Sequence, residues 1–231
     1  ISGGEFILLP FCYGMAAIII STIHLTENQL GNNNKNIIEE LKDGLKILKQ
    51  KPTIRGALFH LVVLYSLLAA LYVLAISLAS SIPSLGPTRF GTLLATSAIG
   101  MTLGAITLAQ SGNRFSRRHL SAAGLGSITW SLILLGQAQE SLTFTLFICG
   151  VLGIGSALVA IPAQTTIQED TPESQRGKIF GLQNNFINIA LSVPLVIAGA
   201  LVSKYGLIPT LWLLASIALI AALLEQPWKR C

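Results

Sequence analysis

Apolar and polar residues fall along this chain in long blocks rather than in alternation. Seven runs are almost free of charge: Phe6–His24, Gly56–Ile82, Phe90–Gln110, Leu120–Gln139, Leu142–Gln168, Ile179–Ser203 and Tyr205–Leu224. Each is close to or above the roughly 20 residues a helix needs to cross about 30 Å of hydrocarbon. The pattern predicts an all-α fold, a polytopic transmembrane helix bundle. Pro162 and Pro194 do not argue against helices, because neighbouring helices can satisfy the backbone groups a proline frees. Gly100 and Gly104 stand at GxxxG spacing in the third run, which predicts close approach of a neighbouring helix. Pro83, Gly86 and Pro87 predict a tight turn between the second and third runs.

The polar blocks differ from one another. Residues 26–35 are Asn-rich and read as a loop, and Asn36 followed by Glu39 is a capping pattern for a new helix. That helix, Ile37–Gln50, lines up Ile37, Leu41, Leu45 and Leu48 on one face and is too polar to span. It lies in the membrane interface or packs as a linker on the protein. The shortest block is also the most basic: Ser111–His119, with Arg114, Arg117 and Arg118 wedged between two uncharged runs.

Charge then sets orientation. If loops alternate sides, the basic turn shares its side with Lys35, Lys42, Lys46, Lys49, Lys51, Arg55, Arg176, Lys178, Lys229 and Arg230. Only Arg89 and Lys204 fall opposite. Cations are retained on the cytoplasmic side, so that face and the C-terminus are expected in the cytoplasm of a multi-pass cell membrane protein. The predicted divisions are 1–25, a membrane helix; 26–54, a cytoplasmic linker with an amphipathic helix; 55–224, a six-helix set; and 225–231, a tail. The chain starts at Ile1, which predicts a piece of a longer protein.

Composition agrees: 52% of the 231 residues are hydrophobic and 11% charged, against roughly 25% charged in soluble domains. The net charge of +5 is explained by helix-end loops and implies no nucleic acid. Cys12, Cys149 and Cys231 have no metal-site spacing, and His24, His60 and His119 are scattered, so no metal site or cofactor is expected. No hydrolase or nucleotide-binding motif occurs, and the chain does not read as an enzyme.

Chemistry is therefore sought among polar side chains within the runs. The sixth carries Gln183, Asn184, Asn185 and Asn188, and Gly181, Asn184, Asn188 and Ser192 recur at helical spacing. This face lines a water-filled or substrate cavity, or it bonds to neighbouring helices. Tyr65 and Tyr72 lie seven residues apart on one face of the second run, suited to stacking a flat ligand or to plain packing. Gln164 follows the Pro162 kink as a cavity residue or a helix-end cap. His60 reads as an interfacial residue rather than a proton relay. The arginines of the basic turn either set orientation alone or also bond carboxylates and C-termini of adjacent helices, holding one conformation shut.

Three stretches carry a family resemblance. Gly112-Asn113-Arg114-Phe115-Ser116-Arg117-Arg118 resembles the ADRxGRR turn of major facilitator superfamily transporters, with Asn113 and Ser116 replacing the usual Asp and Gly. Thr171-Pro172-Glu173-Ser174-Gln175-Arg176-Gly177-Lys178-Ile179-Phe180-Gly181-Leu182 is similar to the P-E-x-x-R-G-x-x-x-G stretch of drug-efflux members, and the 39–52 segment is similar to the central linker of the macrolide-efflux-like branch. The resemblance implies the C-terminal six-helix half of that fold plus the preceding helix. It implies a carrier that exports an amphipathic small molecule in exchange for protons by alternating access, completed by an N-terminal half or a second copy. Asn113, Arg114, Arg117, Arg118 and Arg176 would act at the cytoplasmic gate. Tyr65, Tyr72, Gln164, Gln183, Asn184, Asn185 and Asn188 would line the substrate pathway. The rival reading is a non-transporting membrane module or an inactive fragment of a transporter.

Overall fold

The computed structural model describes residues 11, 13–19, 21, 45–46, 48–83, 85–111, 116–138 and 141–224. The chain divides into two compact units, Ile1–Asn36 and Ile37–Cys231. In the first, the described residues are helical and exposed, and all belong to the first predicted span. The Asn-rich loop, the capping residues Asn36 and Glu39, the turn residues Asn113 and Arg114, and the tail 225–231 lie outside the described residues.

The second unit is built from six long helices: α1 (Pro52–Ser81), α2 (Gly91–Ser111), α3 (Arg117–Leu135), α4 (Leu142–Asp170), α5 (Arg176–Tyr205) and α6 (Leu207–Leu224). Short 3₁₀ turns at Pro87–Arg89 and Glu173–Gln175 join two of the pairs. All but α3 are long and apolar enough to cross a bilayer by that measure alone. In α3, Arg117, Arg118 and His119 take the first turn, and Ser121, Gly124, Gly126, Ser127, Thr129 and Ser131 dilute the rest. The expected all-α bundle is what the chain forms.

Helix ends depart from expectation where proline and cations were read as loop. α1 opens at Pro52, ahead of the expected Gly56, because the first helical position needs no N–H donor. Arg176, Gly177 and Lys178, expected in a loop, form the first turn of α5. α3 stops at Leu135, short of the expected Gln139, and Gly136 and Gln137 form a turn. Ser141 then caps α4, its side chain accepting from the Phe144 N–H. Between α1 and α2 the expected turn depends on Gly86, whose φ of 73° only glycine adopts freely.

The two halves of the bundle pack crosswise. α2 lies on α4 rather than chiefly on α1, and α5 lies on α1; α1 and α4 meet at the centre, and α3 packs on both α4 and α6. Glycine makes the α2–α4 approach possible. A Cβ on Gly100 would fall 2.0 Å from the Gly150 carbonyl oxygen, and one on Gly153 would fall 2.0 Å from that of Ser97. Gly104 rests against Ala157 and Ile154 on the same seam. On the other side of α4, a Cβ on Gly124 would stand 2.6 Å from the Gly155 oxygen. In a membrane, where lipid offers apolar side chains as good a surface as protein does, such backbone proximity drives association.

Two apolar clusters fill the unit. The larger joins Leu64, Leu67 and Leu74 of α1 to Leu125, Ile128 and Leu132 of α3, with Leu152 of α4 and Leu211 and Ala218 of α6. The smaller lies at the end where α1 begins and gathers Leu48, Ile54, Leu58, Leu61, Ala163, Ile167, Ile179 and Leu182. Leu48 brings the end of the predicted amphipathic helix onto the bundle, whereas Leu45 is exposed. Ile37 and Leu41 of the same face lie outside the described residues.

Candidate functional site

Apart from Arg89 and Lys204, the described basic residues of the second unit collect at one end, and several make specific contacts. Arg117, in the first turn of α3, bonds the Glu169 carboxylate near the end of α4. Its Nη1 also donates to the Thr166 hydroxyl at 3.2 Å. That hydroxyl in turn donates to the carbonyl of Pro162 at 2.8 Å. A short chain of hydrogen bonds thus runs from the guanidinium to the proline within α4. Lys51 Nζ donates to the Asp170 carbonyl at 2.7 Å, on the last residue of α4, where the helix dipole favours a cation. Arg176 pairs loosely with Glu173 at 3.6 Å on the neighbouring turn. Arg118 and Lys178 are also engaged in contacts.

Beside this network is a cavity of about 580 Å³. Its walls come from four helices: Gly56, Ala57, Phe59 and His60 of α1, Ser121 of α3, Pro162, Ala163 and Thr166 of α4, and Leu224 of α6. Arg55, Arg117, Arg118 and Asp170 also line it. None of the expected pathway residues does.

Those residues occupy a second region. Gln183 is buried and its Nε2 donates to Gln164 Oε1 at 2.7 Å, joining α5 to α4. Its own Oε1 has no partner among the described residues. Asn184, Asn185 and Asn188 are exposed, and so are Gly181 and Ser192. On α5, a helix of 30 residues, only Ile179, Leu182, Gln183, Ala190 and Ala198 are buried. The tyrosines share a side of α1 but not an environment. Tyr65 packs against the smaller apolar cluster. Tyr72 is 48% exposed and meets Phe90 edge-on, with ring centroids 6.1 Å apart.

The sequence reading pointed to Arg117 and to the polar helix α5 without supplying their partners. It did not single out Arg55, Thr166, Glu169 or Asp170. The available signal was the pair of acids at the end of the fifth run, at the same membrane level as the basic turn.

A bundle of long apolar helices with glycine-sealed contacts, most of its described cations at one end, is a multi-pass membrane protein. The sequence pattern of the Major Facilitator Superfamily matches residues 56–228, well over half of the chain, and the chain belongs to that superfamily. Over 175 residues it is 26% identical to a protein of Bacillus subtilis (strain 168) described as "Uncharacterized MFS-type transporter YfiS", a match covering 73% of this chain and 41% of that relative. The chain therefore spans about two fifths of the length of the curated relative it matches.

Proposed function

We propose that this chain forms the C-terminal half of a secondary transporter that works by alternating access, with its basic end in the cytoplasm of the cell membrane. The observation that carries the reading is the open polar face of α5: Gly181, Asn184, Asn185, Asn188 and Ser192 are all exposed on a helix long enough to span. Amides facing hydrocarbon lose their water hydrogen bonds at a cost of several kcal/mol. A face of this kind is stable where it borders a water-filled route or a second protein surface. In an alternating-access carrier the substrate site lies near the bilayer midplane between two halves. The exposed amides and Tyr72 would be one wall of that site, and an N-terminal half or a second copy the other.

The substrate class we propose is an amphipathic organic molecule exported in exchange for protons, as in the drug-efflux and macrolide-efflux-like members. An exposed ring at Tyr72 and a row of neutral amides suit a ligand with a flat apolar body and a few polar groups. The central turns of α1–α6 contain no Asp, Glu, Lys or Arg, so the proton-carrying group would belong to the completing half.

The test is transport by the full-length protein in everted membrane vesicles, with a fluorescent amphipathic cation as the probe. Asn184→Leu and Asn188→Leu should each reduce proton-driven accumulation at least about tenfold, the loss of one good hydrogen bond to a bound ligand. Unchanged transport in both variants removes α5 from the pathway. Accumulation that persists when the pH gradient is collapsed removes proton coupling.

A further inference from the structure

The cavity at the basic end has features that the transport reading leaves unused. Its walls are mainly apolar, from Gly56, Ala57, Phe59, Pro162, Ala163 and Leu224, and its polar lining includes three arginines beside Thr53, His60, Ser121 and Thr166. Those arginines are Arg55, Arg117 and Arg118, and Asp170 is the one acidic residue among the described residues that line it. Glu169 already takes one of these arginines, Arg117, and the Lys51 ammonium sits on the Asp170 backbone carbonyl. Among the described residues there, Lys51, Arg55, Arg117 and Arg118 outnumber the acids Glu169 and Asp170. The cavity also lies where α1 and α3 begin and α4 and α6 end, the level at which spanning helices meet lipid headgroups.

We infer that this cavity binds an acidic phospholipid, phosphatidylglycerol or cardiolipin. The lipid phosphate lies against Arg55, within the field of Arg117 and Arg118, and its glycerol and upper acyl carbons lie on Phe59, Ala57 and Leu224. Three features of the cavity favour a lipid over a free anion. A soluble phosphate has no use for apolar walls, whereas a lipid buries its glycerol and acyl carbons there. At about 580 Å³ the space is larger than an inorganic anion fills and falls within the range of organic ligand pockets. Basic pockets between membrane helices on the cation-rich side are suited to such headgroups, each nearby cation contributing about 1 kcal/mol. Arg55 is exposed, and its side chain makes no hydrogen bond or ion pair with another described residue, so its donors are available. Arg117 contributes field rather than a direct bond, because Glu169 and Thr166 already hold it.

The test uses the full-length protein, purified in detergent and titrated with short-chain phosphatidylglycerol, phosphatidylcholine or inorganic phosphate while thermal stability is followed. Lipid retention is read in parallel by native mass spectrometry. Phosphatidylglycerol should raise the melting midpoint in a saturable way, and neither phosphatidylcholine nor inorganic phosphate should do so at matched concentration. Arg55→Gln should weaken apparent affinity about fivefold and Arg55→Glu about twentyfold or more, one and two charges at that contribution. Arg55→Lys should retain most of the binding, and because Arg55 is exposed all three variants should keep the wild-type midpoint without lipid. Equal response to phosphatidylcholine would overturn the charge requirement, and equal response to inorganic phosphate would overturn the lipid assignment. Undiminished retention of phosphatidylglycerol by Arg55→Glu would remove the cavity as its site. None of these readouts involves transport, so the lipid site and the carrier reading fail separately.

Discussion

The α2–α4 seam can be tested with a single methyl group. In Gly153→Ala the new Cβ would lie 2.0 Å from the Ser97 oxygen and 2.8 Å from the Met101 nitrogen. Ordinary contact begins near 3.4 Å, so α2 must retreat by more than an ångström. The colliding atoms are backbone, which cannot swing aside as a side chain can. Retreat also opens the Gly100–Gly150 and Gly104–Ala157 contacts along the same line. Overpacking costs about 1–3 kcal/mol, and a rigid partner places this site at the upper end. For a chain of this size that corresponds to a fall of about 6–10 °C in melting midpoint. Fluorescence-detected size-exclusion after heating of the detergent-purified protein measures it directly. Gly126→Ala in α3 is the matched control, because no atom lies within 4 Å of its Cβ position. Replacing a helical glycine there should be neutral or stabilise by up to about 1 kcal/mol. If both variants melt alike, the seam is not a backbone contact and the packing argument is wrong.

Other expectations follow from single contacts. Gln164→Leu leaves the buried Gln183 amide without its partner and should destabilise by about 1–3 kcal/mol in chemical denaturation, while Gln164→Leu with Gln183→Leu should recover much of that. The Arg117–Glu169 pair is 39% and 57% exposed, so a double-mutant cycle should give a coupling below about 1 kcal/mol; a value of several kcal/mol would mean that the end of the bundle is shielded from water. For topology, cysteine-free protein carrying Thr88→Cys should label with an impermeant maleimide on intact cells, whereas Ser116→Cys should label only after lysis. The reverse pattern would invert the bundle.

Span lengths were legible because bilayer thickness sets them, and block patterning reports it directly. The glycine seam was legible in part: GxxxG spacing at Gly100 and Gly104 announced close approach, while its partner on α4 emerged only from packing. Helix starts at Pro52 and Arg176 were misread, since a proline or cation at a first helical turn looks like loop in sequence. Tyr65 and Tyr72 show the limit of periodicity. Seven-residue spacing placed them on one side of α1, but burial differs: the smaller apolar cluster packs on Tyr65, whereas Tyr72 meets Phe90 edge-on and stays 48% exposed. The pairing of Gln164 with Gln183, and of Arg117 with Glu169, joins residues from different helices. Spacing within one helix carries no information about either.

The junction at Lys51 has a mechanical consequence. Pro52 fixes its own φ and restricts Lys51 before it, Leu48 is buried just ahead, and the Lys51 ammonium reaches the last carbonyl of α4, 119 positions along the chain. Tension arriving along residues 45–50 is therefore not absorbed by a slack hinge. It is delivered at once to two helix ends, the start of α1 and the finish of α4, and these are the members that frame the arginine-lined cavity. A displacement of the linker's last turn would therefore bear on both helix ends together.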